Sequence, residues 1–299
     1  MLAWLDGARG VDGRAARTAR WAGCRALAFL LALTVTALAA PGTARAFELH
    51  EGVPVGGGLK VDIYTPNGIK PARFGRRGVP VVIYAHGGGW IQGSRKKVYS
   101  QHRWLTRKGY ILVSTDYRPV PQTDIDGQVR DVSTSINWVR RNIRQYGGNP
   151  RQIVIMGHSA GAHLVAMVAA KNTAGPIAGV IPNDVQAYDM VAYGVVRGGI
   201  GHPYDKAFGS NIQDWVRWSP ATYAARNRRM PPHLILHSGS QGARRRQLSS
   251  GYANLLRSRG TRAATFDGGA YTHGSIARTL GQPNSVTRAV ERFLAEVTR

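Results

Sequence analysis

The segment Gly157-His158-Ser159-Ala160-Gly161 constrains this chain more than any other feature of the sequence. It stands between a short apolar run, Gln152–Met156, and a helical pattern over residues 162–171. Glycine on both sides of a serine suits a tight turn from a strand into a helix, because no Cβ keeps the two apart. Such a turn raises the serine hydroxyl above the end of a sheet. We predict that Ser159 is a nucleophile and that the backbone N–H of Ala160 faces the reacting oxygen.

Short β-rich runs alternate with helical patterns from residue 47 onward. Several runs, such as VPVVIYA and LILH, are continuously apolar, which is typical of strands buried on both faces of a parallel sheet. The predicted strands are Leu59–Tyr64, Val79–Ala85, Tyr110–Thr115, Gln152–Met156, Val185–Tyr188, His233–His237 and Arg262–Phe266. The alternation predicts one α/β domain over residues 47–299, with a doubly wound, mostly parallel sheet flanked by helices.

Apolar spacing predicts two of the helices, one with a stripe from Val129 to Ile143 and one at the C-terminus that starts near Asn284 or Ser285. The segment from about residue 190 to 223 has no clean periodicity and is longer than an ordinary connection. It is predicted to form a small cap over a site.

The first 46 residues have the parts of a secretory signal. A basic segment precedes the apolar run Ala26–Ala40, and Ala44-Arg45-Ala46 follows. The run is shorter than the roughly 20 residues that span a bilayer, so cleavage after Ala46 is favoured over an uncleaved membrane anchor. We therefore expect a secreted or periplasmic protein whose mature chain, 299 − 46 = 253 residues, has no membrane span.

Net charge and cysteine content exclude some classes of protein. The chain has 40 Lys+Arg and 16 Asp+Glu, a net charge of +24, and removing the signal leaves (40 − 6) − (16 − 2) = +20. Such an excess points to a polyanion or to nucleic acid, but no nucleic-acid motif accompanies it and we expect no specific nucleic-acid partner. The single cysteine, Cys24, excludes a disulfide framework and a thiolate metal cluster, and no other metal set is recognised.

The glycine-rich loop His86-Gly87-Gly88-Gly89-Trp90 follows the predicted strand Val79–Ala85. Consecutive glycines allow backbone amides to converge on an oxyanion, which stabilises a tetrahedral intermediate in acyl transfer. A phosphate-binding loop is the rival interpretation, but the expected G-K-[ST] does not follow. The loop is therefore predicted to be an oxyanion loop.

A general base has to accept the proton of Ser159, and histidine is suited to this at neutral pH. His273 lies after the last predicted strand and before the last predicted helix, where the chain order serine–acid–histidine places the base. Chemistry of this kind needs no cofactor.

Five segments together resemble the α/β-hydrolase carboxylesterases, near their hormone-sensitive-lipase and feruloyl-esterase-like branches. They are HGGGWIQGSRK, STDYRPVPQ, the stretch from QVRDVSTSINW to GHSAGAHL, PPHLILH and THGSIARTLG. The resemblance implies an α/β-hydrolase fold and a serine esterase that acts through an acyl-enzyme. It further implies that Ser159 attacks, that His273 shuttles the proton, and that Gly88, Gly89 and Ala160 supply oxyanion amides.

The catalytic acid departs from the family pattern. Members carry an aspartate in the loop after the strand that corresponds to His233–His237, but residues 238–246 here contain no carboxylate. Asp189 could replace it from the end of the preceding predicted strand, although an aspartate there could instead cap the next segment. Asp267 is the other candidate. A third possibility is a weakened or inactive protein with a binding role. We favour Asp189.

Three arginines, Arg244–Arg246, stand where the acid is expected. Such a run is usually a solvated face, and the sharper hypothesis is that it binds an anionic group of the substrate or an anionic polymer. The sequence thus predicts a serine hydrolase for a small carboxylic ester, with an anionic ester as the sharper hypothesis, and it does not distinguish esters from amides or acetylated sugars.

Overall fold

The computed structural model describes residues 47–72, 78–227, 229–240 and 242–299. The secretory signal, its cleavage site and Cys24 lie outside the described residues, so those features stay predictions. No helix of the described ranges is long and apolar enough to cross a membrane.

Within these ranges, eight strands form a single sheet: β1 Phe47–Gly56, β2 Leu59–Pro66, β3 Val79–Ala85, β4 Ile111–Thr115, β5 Gly148–His158, β6 Gly179–Asn183, β7 His233–Ser238 and β8 Ala263–Gly268. Their order in the sheet is β1-β2-β4-β3-β5-β6-β7-β8. β2 is antiparallel to its neighbours β1 and β4, and the other neighbouring strands are parallel. The predicted mostly parallel α/β sheet is confirmed.

The helices are α1 Gln101–Arg107, α2 Ile125–Asn142, α3 Ala160–Lys171, α4 Met190–Arg197, α5 Tyr204–Phe208, α6 Ile212–Arg217, α7 Pro220–Ala224, α8 Gly242–Ser258, α9 Ser275–Arg278 and α10 Ser285–Val297, with a 3-10 helix at Ile143–Tyr146. Both predicted helices are present. The Asn284 side chain accepts a hydrogen bond from Thr287 N (2.9 Å), so α10 starts where the sequence predicts.

Helices cover both faces of the sheet because its strands are apolar on both sides. On β3, Val81 and Ile83 belong to a core cluster that also contains residues of α2, α3 and α8, while Val82 and Tyr84 belong to one that contains residues of α1, α9 and α10. Each fully buried aliphatic side chain contributes about 1.5–3 kcal/mol to stability. This double layer holds the carboxyl ends of β3, β5, β6 and β8 at one edge of the sheet, where ligands bind in folds of this kind.

The predicted strand Val185–Tyr188 is wrong. The strand in this part of the chain is β6, about six residues earlier, and residues 185–188 form buried turns after it. β6 contains Pro182, which lies between Val180 and Asp184. The Val180 N–H donates to Pro232 O, just before β7, and the Asp184 N–H donates to Leu236 O within β7. A proline at this position removes one hydrogen bond from the ladder, which is why its segment does not read as an interior strand.

The segment predicted to be a cap consists of the four short helices α4–α7. Phe208 of α5 and Trp218, which follows α6, are buried, and both belong to the same apolar core as Trp90 of the glycine-rich loop. The cap is therefore packed on the domain next to that loop.

Buried histidines make the stability of this fold depend on pH. Burial lowers the pKa of His86, His158, His163 and His233 from 6.5 to about 4. Between these two values the unfolded chain binds more protons than the folded one, so stability rises with pH. We expect the free energy of unfolding to fall as the pH drops from about 6.5 to about 4.

Urea unfolding between pH 7 and pH 4 measures this dependence, and His233→Gln provides the comparison. His233 is on β7, away from the catalytic end of the sheet, and its replacement should reduce the slope of stability against pH. An identical slope in the variant would contradict the assignment of His233 as neutral in the folded state.

Candidate active site

Ser159 sits on a strained turn between β5 and α3. Its backbone torsions are φ 55° and ψ −121°, a region that residues other than glycine rarely adopt. The flanking glycines make the turn sterically possible. A Cβ on Gly157 would lie 2.3 Å from the Gly161 backbone, and one on Gly161 would lie 2.1 Å from Ala85 O. The predicted strand–turn–helix placement of Ser159 is thus observed.

A hydrogen-bonded relay leads away from the Ser159 hydroxyl. His273 Nε2 lies 3.0 Å from Ser159 Oγ, and His273 Nδ1 lies 2.6 Å from Asp184 Oδ2. The His273 backbone N–H donates to Ser240 Oγ (2.7 Å), which positions the loop that carries the imidazole. The structure brings Ser159 and His273 together as predicted, and Asp184 supplies the carboxylate.

Asp184 is fully buried directly after β6, with a positive φ of 63°. Its carboxylate accepts hydrogen bonds from Ser238 N (2.7 Å) and Ser238 Oγ (2.8 Å), and Arg245 Nη1 lies 3.1 Å from Oδ1. Burial alone would raise the pKa of Asp184, but the hydrogen bond from His273 and the charge of Arg245 outweigh it and lower that pKa. Asp184 therefore stays ionised and fixes a proton on His273 Nδ1.

The prediction that Asp189 or Asp267 completes the relay is wrong. Asp189 caps α4, where its side chain accepts a hydrogen bond from Ala192 N at 2.9 Å. Asp267 is half exposed at the end of β8 and lies near His237 Nδ1 (3.8 Å) and Arg246 Nε (3.3 Å). The acid does follow the strand before β7, but that strand ends at Asn183 and not at Tyr188, so the residue that reaches His273 is Asp184.

The arginine run has three different environments. Arg244 Nε donates to Gln186 Oε1 (3.1 Å), Arg246 lies on the surface beside Asp267, and Arg245 is 4% exposed. The solvated-face interpretation is therefore wrong for Arg245, whose guanidinium contacts both the carboxylate and the backbone carbonyl of Asp184. This contact joins residues 61 positions apart in sequence, and no local pattern signals it.

The glycine-rich loop lies next to Ser159, since a Cβ on Gly87 would be 3.1 Å from the Ser159 Cβ. Gly88 and Gly89 have φ values of 152° and 60°, and a Cβ on Gly88 would lie 1.8 Å from Gln92 O. Within the described part of the chain, the backbone N–H groups of Gly88, Gly89 and Ala160 have no protein acceptor. All three are next to or on the walls of the Ser159 cavity, which suits donors to an oxyanion.

Buried hydrogen bonds tie this loop to the cap. Trp90 Nε1 donates to His163 Nδ1 (3.2 Å), and His163 Nε2 lies 2.7 Å from Trp218 O. Burial lowers the pKa of His163 to about 4, so the ring is neutral and donates from Nε2. Trp90 O also accepts from Gln128 Nε2 (2.7 Å). One imidazole thus connects α3, the glycine-rich loop and the cap.

His158 supports the relay from the other side of Ser159. Its Nε2 lies 2.8 Å from His273 O, and the two rings are 4.7 Å apart between centroids. Burial, together with the nearby His273, lowers the pKa of His158 to about 4. The neutral ring therefore donates to His273 O and adds no positive charge next to the base.

The cavity in front of Ser159 has a volume of about 340 Å³. Gly87–Gly89 and Gln92 line it on one side and His273 on another, and the cap contributes His202 and Pro203. The cap segment therefore covers part of the site, as predicted. A cavity of this size is near the lower end of the roughly 300–1,000 Å³ range for ligand pockets, which favours a small substrate.

His158, Asp184 and His273 also place one possible metal ligand each within 4.8 Å of one another. His158 Nε2 is directed at His273 O, and both carboxylate oxygens of Asp184 already receive donors. A cation would have to displace these bonds and approach Arg245, so the donor set suits a proton relay better than a metal site. The absence of a metal or cofactor stays a prediction.

Comparison with known proteins finds a family match over part of the chain. The sequence profile of the BD-FAE family matches residues 61–193, which include the glycine-rich loop, Ser159 and Asp184. The chain is 38% identical over 134 residues to Esterase LipQ of Mycobacterium tuberculosis, covering 43% of this chain and 31% of that protein. It is 28% identical over 235 residues to a probable isoprenylcysteine alpha-carbonyl methylesterase ICME of Oryza sativa, covering 73% and 55%. The chain thus spans about a third to a half of these relatives.

Solved structures agree on the fold. Esterase B from Lactobacillus rhamnosis superposes with a TM-score of 0.68 at 18% identity, covering 85% of this chain and 86% of that one. Esterase 2 of Thermogutta terrifontis gives a TM-score of 0.61 at 19% identity, covering 86% and 94%. At these identities the likeness shows the α/β-hydrolase fold.

Asp184→Asn tests the relay. An amide cannot hold the proton on His273 Nδ1 as a carboxylate does, and the equivalent change in another serine–histidine relay lowers kcat by about 10⁴. We expect the rate at which a fluorophosphonate labels Ser159 to fall by a factor of about 10³–10⁴. Asp189→Asn and Asp267→Asn are the controls and should keep the rate within about twofold, since neither side chain touches His273. Full labelling of Asp184→Asn would exclude Asp184 as the acid.

Gly161→Ala tests the steric argument for the turn. The added Cβ would collide with backbone atoms, so we expect a loss of stability of several kcal/mol, or about 1–3 kcal/mol if the chain shifts. Gly251→Ala is the matched control, because its Cβ would meet nothing within 4 Å inside the exposed part of α8. Replacing glycine in a helix with alanine should raise stability by about 1 kcal/mol. Urea unfolding measures both, and equal effects would refute the steric argument.

Proposed function

We propose that the chain is a serine esterase of the α/β-hydrolase carboxylesterase family and that it cleaves a small carboxylic ester. The observation that carries the proposal is the continuous relay from Ser159 Oγ through His273 to the buried Asp184. The cavity of about 340 Å³ in front of it supports a small substrate.

The first half of the reaction forms an acyl-enzyme. His273 Nε2 accepts the Ser159 proton as Oγ attacks the ester carbonyl carbon. The carbonyl oxygen becomes an oxyanion, which accepts hydrogen bonds from the backbone amides of Gly88, Gly89 and Ala160. His273 then gives its proton to the leaving alkoxide, and the C–O bond of the ester breaks to release the alcohol.

The second half returns the enzyme to its starting state. His273 Nε2 takes a proton from water, which attacks the acyl carbon. A second oxyanion forms on the acyl oxygen and accepts hydrogen bonds from the same amides. When it collapses, the bond between the acyl carbon and Ser159 Oγ breaks, the acid leaves, and His273 returns the proton to Ser159. Asp184 stabilises the imidazolium in both halves because its charge lies 2.6 Å from Nδ1.

The alternative of a weakened or inactive protein was motivated by the carboxylate missing from residues 238–246. Asp184 contacts His273 from the neighbouring strand, and this removes the motive. The hypothesis that Arg244–Arg246 bind an anionic substrate has no support from the cavity, because none of the three lines it.

We also propose that the protein acts outside the cytoplasm, after cleavage of the signal at Ala46. The basic and apolar N-terminal segments and the small residues Ala44 and Ala46 support this. N-terminal sequencing of exported protein should start at Phe47.

Ser159→Ala tests the esterase. We expect the wild-type protein to hydrolyse 4-nitrophenyl acetate and the variant to lose kcat by a factor of about 10⁶, the loss seen when a relay serine is removed. Ser258→Ala, in which an exposed serine at the end of α8 is replaced, is the control and should keep full activity. Turnover by Ser159→Ala at the wild-type rate, or no turnover of any short ester by the wild type, would refute the proposal.

A further inference from the structure

Three consecutive cations, Arg95, Lys96 and Lys97, follow the glycine-rich loop. Arg95 forms ion pairs with Asp62 and Asp116, both at 2.7 Å, and Lys96 Nζ lies 2.9 Å from Glu51 Oε1. Among the described residues, no carboxylate lies within ion-pair distance of Lys97. The charge of Lys97 is therefore available to a ligand.

Unpaired cations are expected in a chain with this excess of arginine and lysine. What distinguishes Lys97 is its location beside Ser159. Lys97 lines the Ser159 cavity, in the same wall as Gln92 and the glycine-rich loop. Its charge is close enough to the loop to oppose protonation of His86, although burial is the main cause of the low pKa of that histidine.

Among the described residues that line this cavity, there is no aspartate or glutamate. The carboxylate of Asp184 is fully buried behind His273 and is neutralised by Arg245. Asp205 lies 4.0 Å from His202, on the cap, and is outside the lining. The net charge along the walls is thus positive, which disfavours a cationic substrate and favours an anionic one.

A second cation lies next to the base. A Cβ on Gly274, the residue after His273, would be 2.6 Å from Arg278 Nη1, so the guanidinium lies over the start of α9. No ion pair within the described ranges involves Arg278. Arg278 is outside the cavity lining, so Lys97 is the lysine or arginine on the cavity wall among the described residues.

We propose that Lys97 selects esters that carry a carboxylate, by pairing its ammonium with that group while Ser159 attacks the ester. This inference rests on the proposed esterase activity and names the substrate class of the same site. Lys97 is then a specificity-determining residue that touches the non-reacting part of the substrate. Its contribution should appear mainly in KM, because the carboxylate is bound equally in the ground state and in the transition state.

The test uses two esters that differ only in charge. 4-Acetoxybenzoate and 4-acetoxybenzamide have the same shape and the same acetyl group, and the carboxylate is the single difference. We expect wild-type kcat/KM to favour 4-acetoxybenzoate by about tenfold, the value of one charge-assisted hydrogen bond. In Lys97→Gln this ratio should fall to about one, and in Lys97→Glu it should invert. Monomethyl adipate and its primary amide repeat the comparison with the carboxylate on the acyl side.

Lys96→Gln is the matched control, because it removes the same charge one residue away, outside the cavity and from a pair with Glu51. It should leave the ratio at its wild-type value. Added salt should reduce the ratio in the wild type and in Lys96→Gln, which both keep Lys97, and should leave the ratio of Lys97→Gln near one. A wild-type ratio of one in both ester pairs would overturn the proposal. So would a loss in Lys97→Gln that is equal for the charged and neutral esters, since that pattern indicates a general effect on the oxyanion or the loop.

Failure of the proposed function gives a different result, namely no turnover of either member of a pair. Recognition is then measured without turnover, by calorimetric binding of 4-acetoxybenzoate and 4-acetoxybenzamide to Ser159→Ala. Tighter binding of the carboxylate that disappears on adding Lys97→Gln supports the inference, and equal binding of the two compounds overturns it.

Discussion

The buried charge of Asp184 is the interaction on which the rest of the site depends. Moving a carboxylate out of water costs several kcal/mol, and the fold offsets this with donors from three segments. Ser238 ends β7, Arg245 is in the first turns of α8, and His273 follows β8. The hydrogen bond from His273 helps to keep the Asp184 carboxylate ionised and also orients the imidazole. The same contact therefore serves both the stability of the buried charge and the position of the base.

In this chain the catalytic acid is supplied by the end of β6 and not by the loop after β7. The family resemblance places the acid in that loop, whereas this chain has the acid one strand earlier and uses the loop to hold it. Ser238 supplies two hydrogen bonds to Asp184, and Ser240 accepts the His273 backbone N–H. A loop without a carboxylate is thus compatible with an intact relay, because the imidazole can be reached from either strand.

The parts of the site that sequence reasoning predicted are those in which local geometry dictates residue type. Gly157 and Gly161 are required by backbone contacts near 2 Å, so the elbow around Ser159 could be recognised from five residues. Asp184 and Arg245 were missed for two physical reasons. β6 breaks its own ladder with Pro182 and does not look like an interior strand, and the Asp184–Arg245 contact is set by how α8 packs, which no short pattern encodes.

The two hydrogen bonds of His163, to Trp90 and to Trp218, bear on how a substrate enters the cavity. Trp90 Nε1 and Trp218 O both hydrogen-bond the one buried, neutral His163 ring, so lifting the cap would break the His163–Trp218 hydrogen bond in a buried part of the protein. It would also disturb the packing of Trp90, which directly follows Gly88 and Gly89, whose backbone amides are the predicted oxyanion donors. We therefore expect the cap to stay packed on the domain during turnover. Substrate and product would then enter and leave through the existing opening of the cavity.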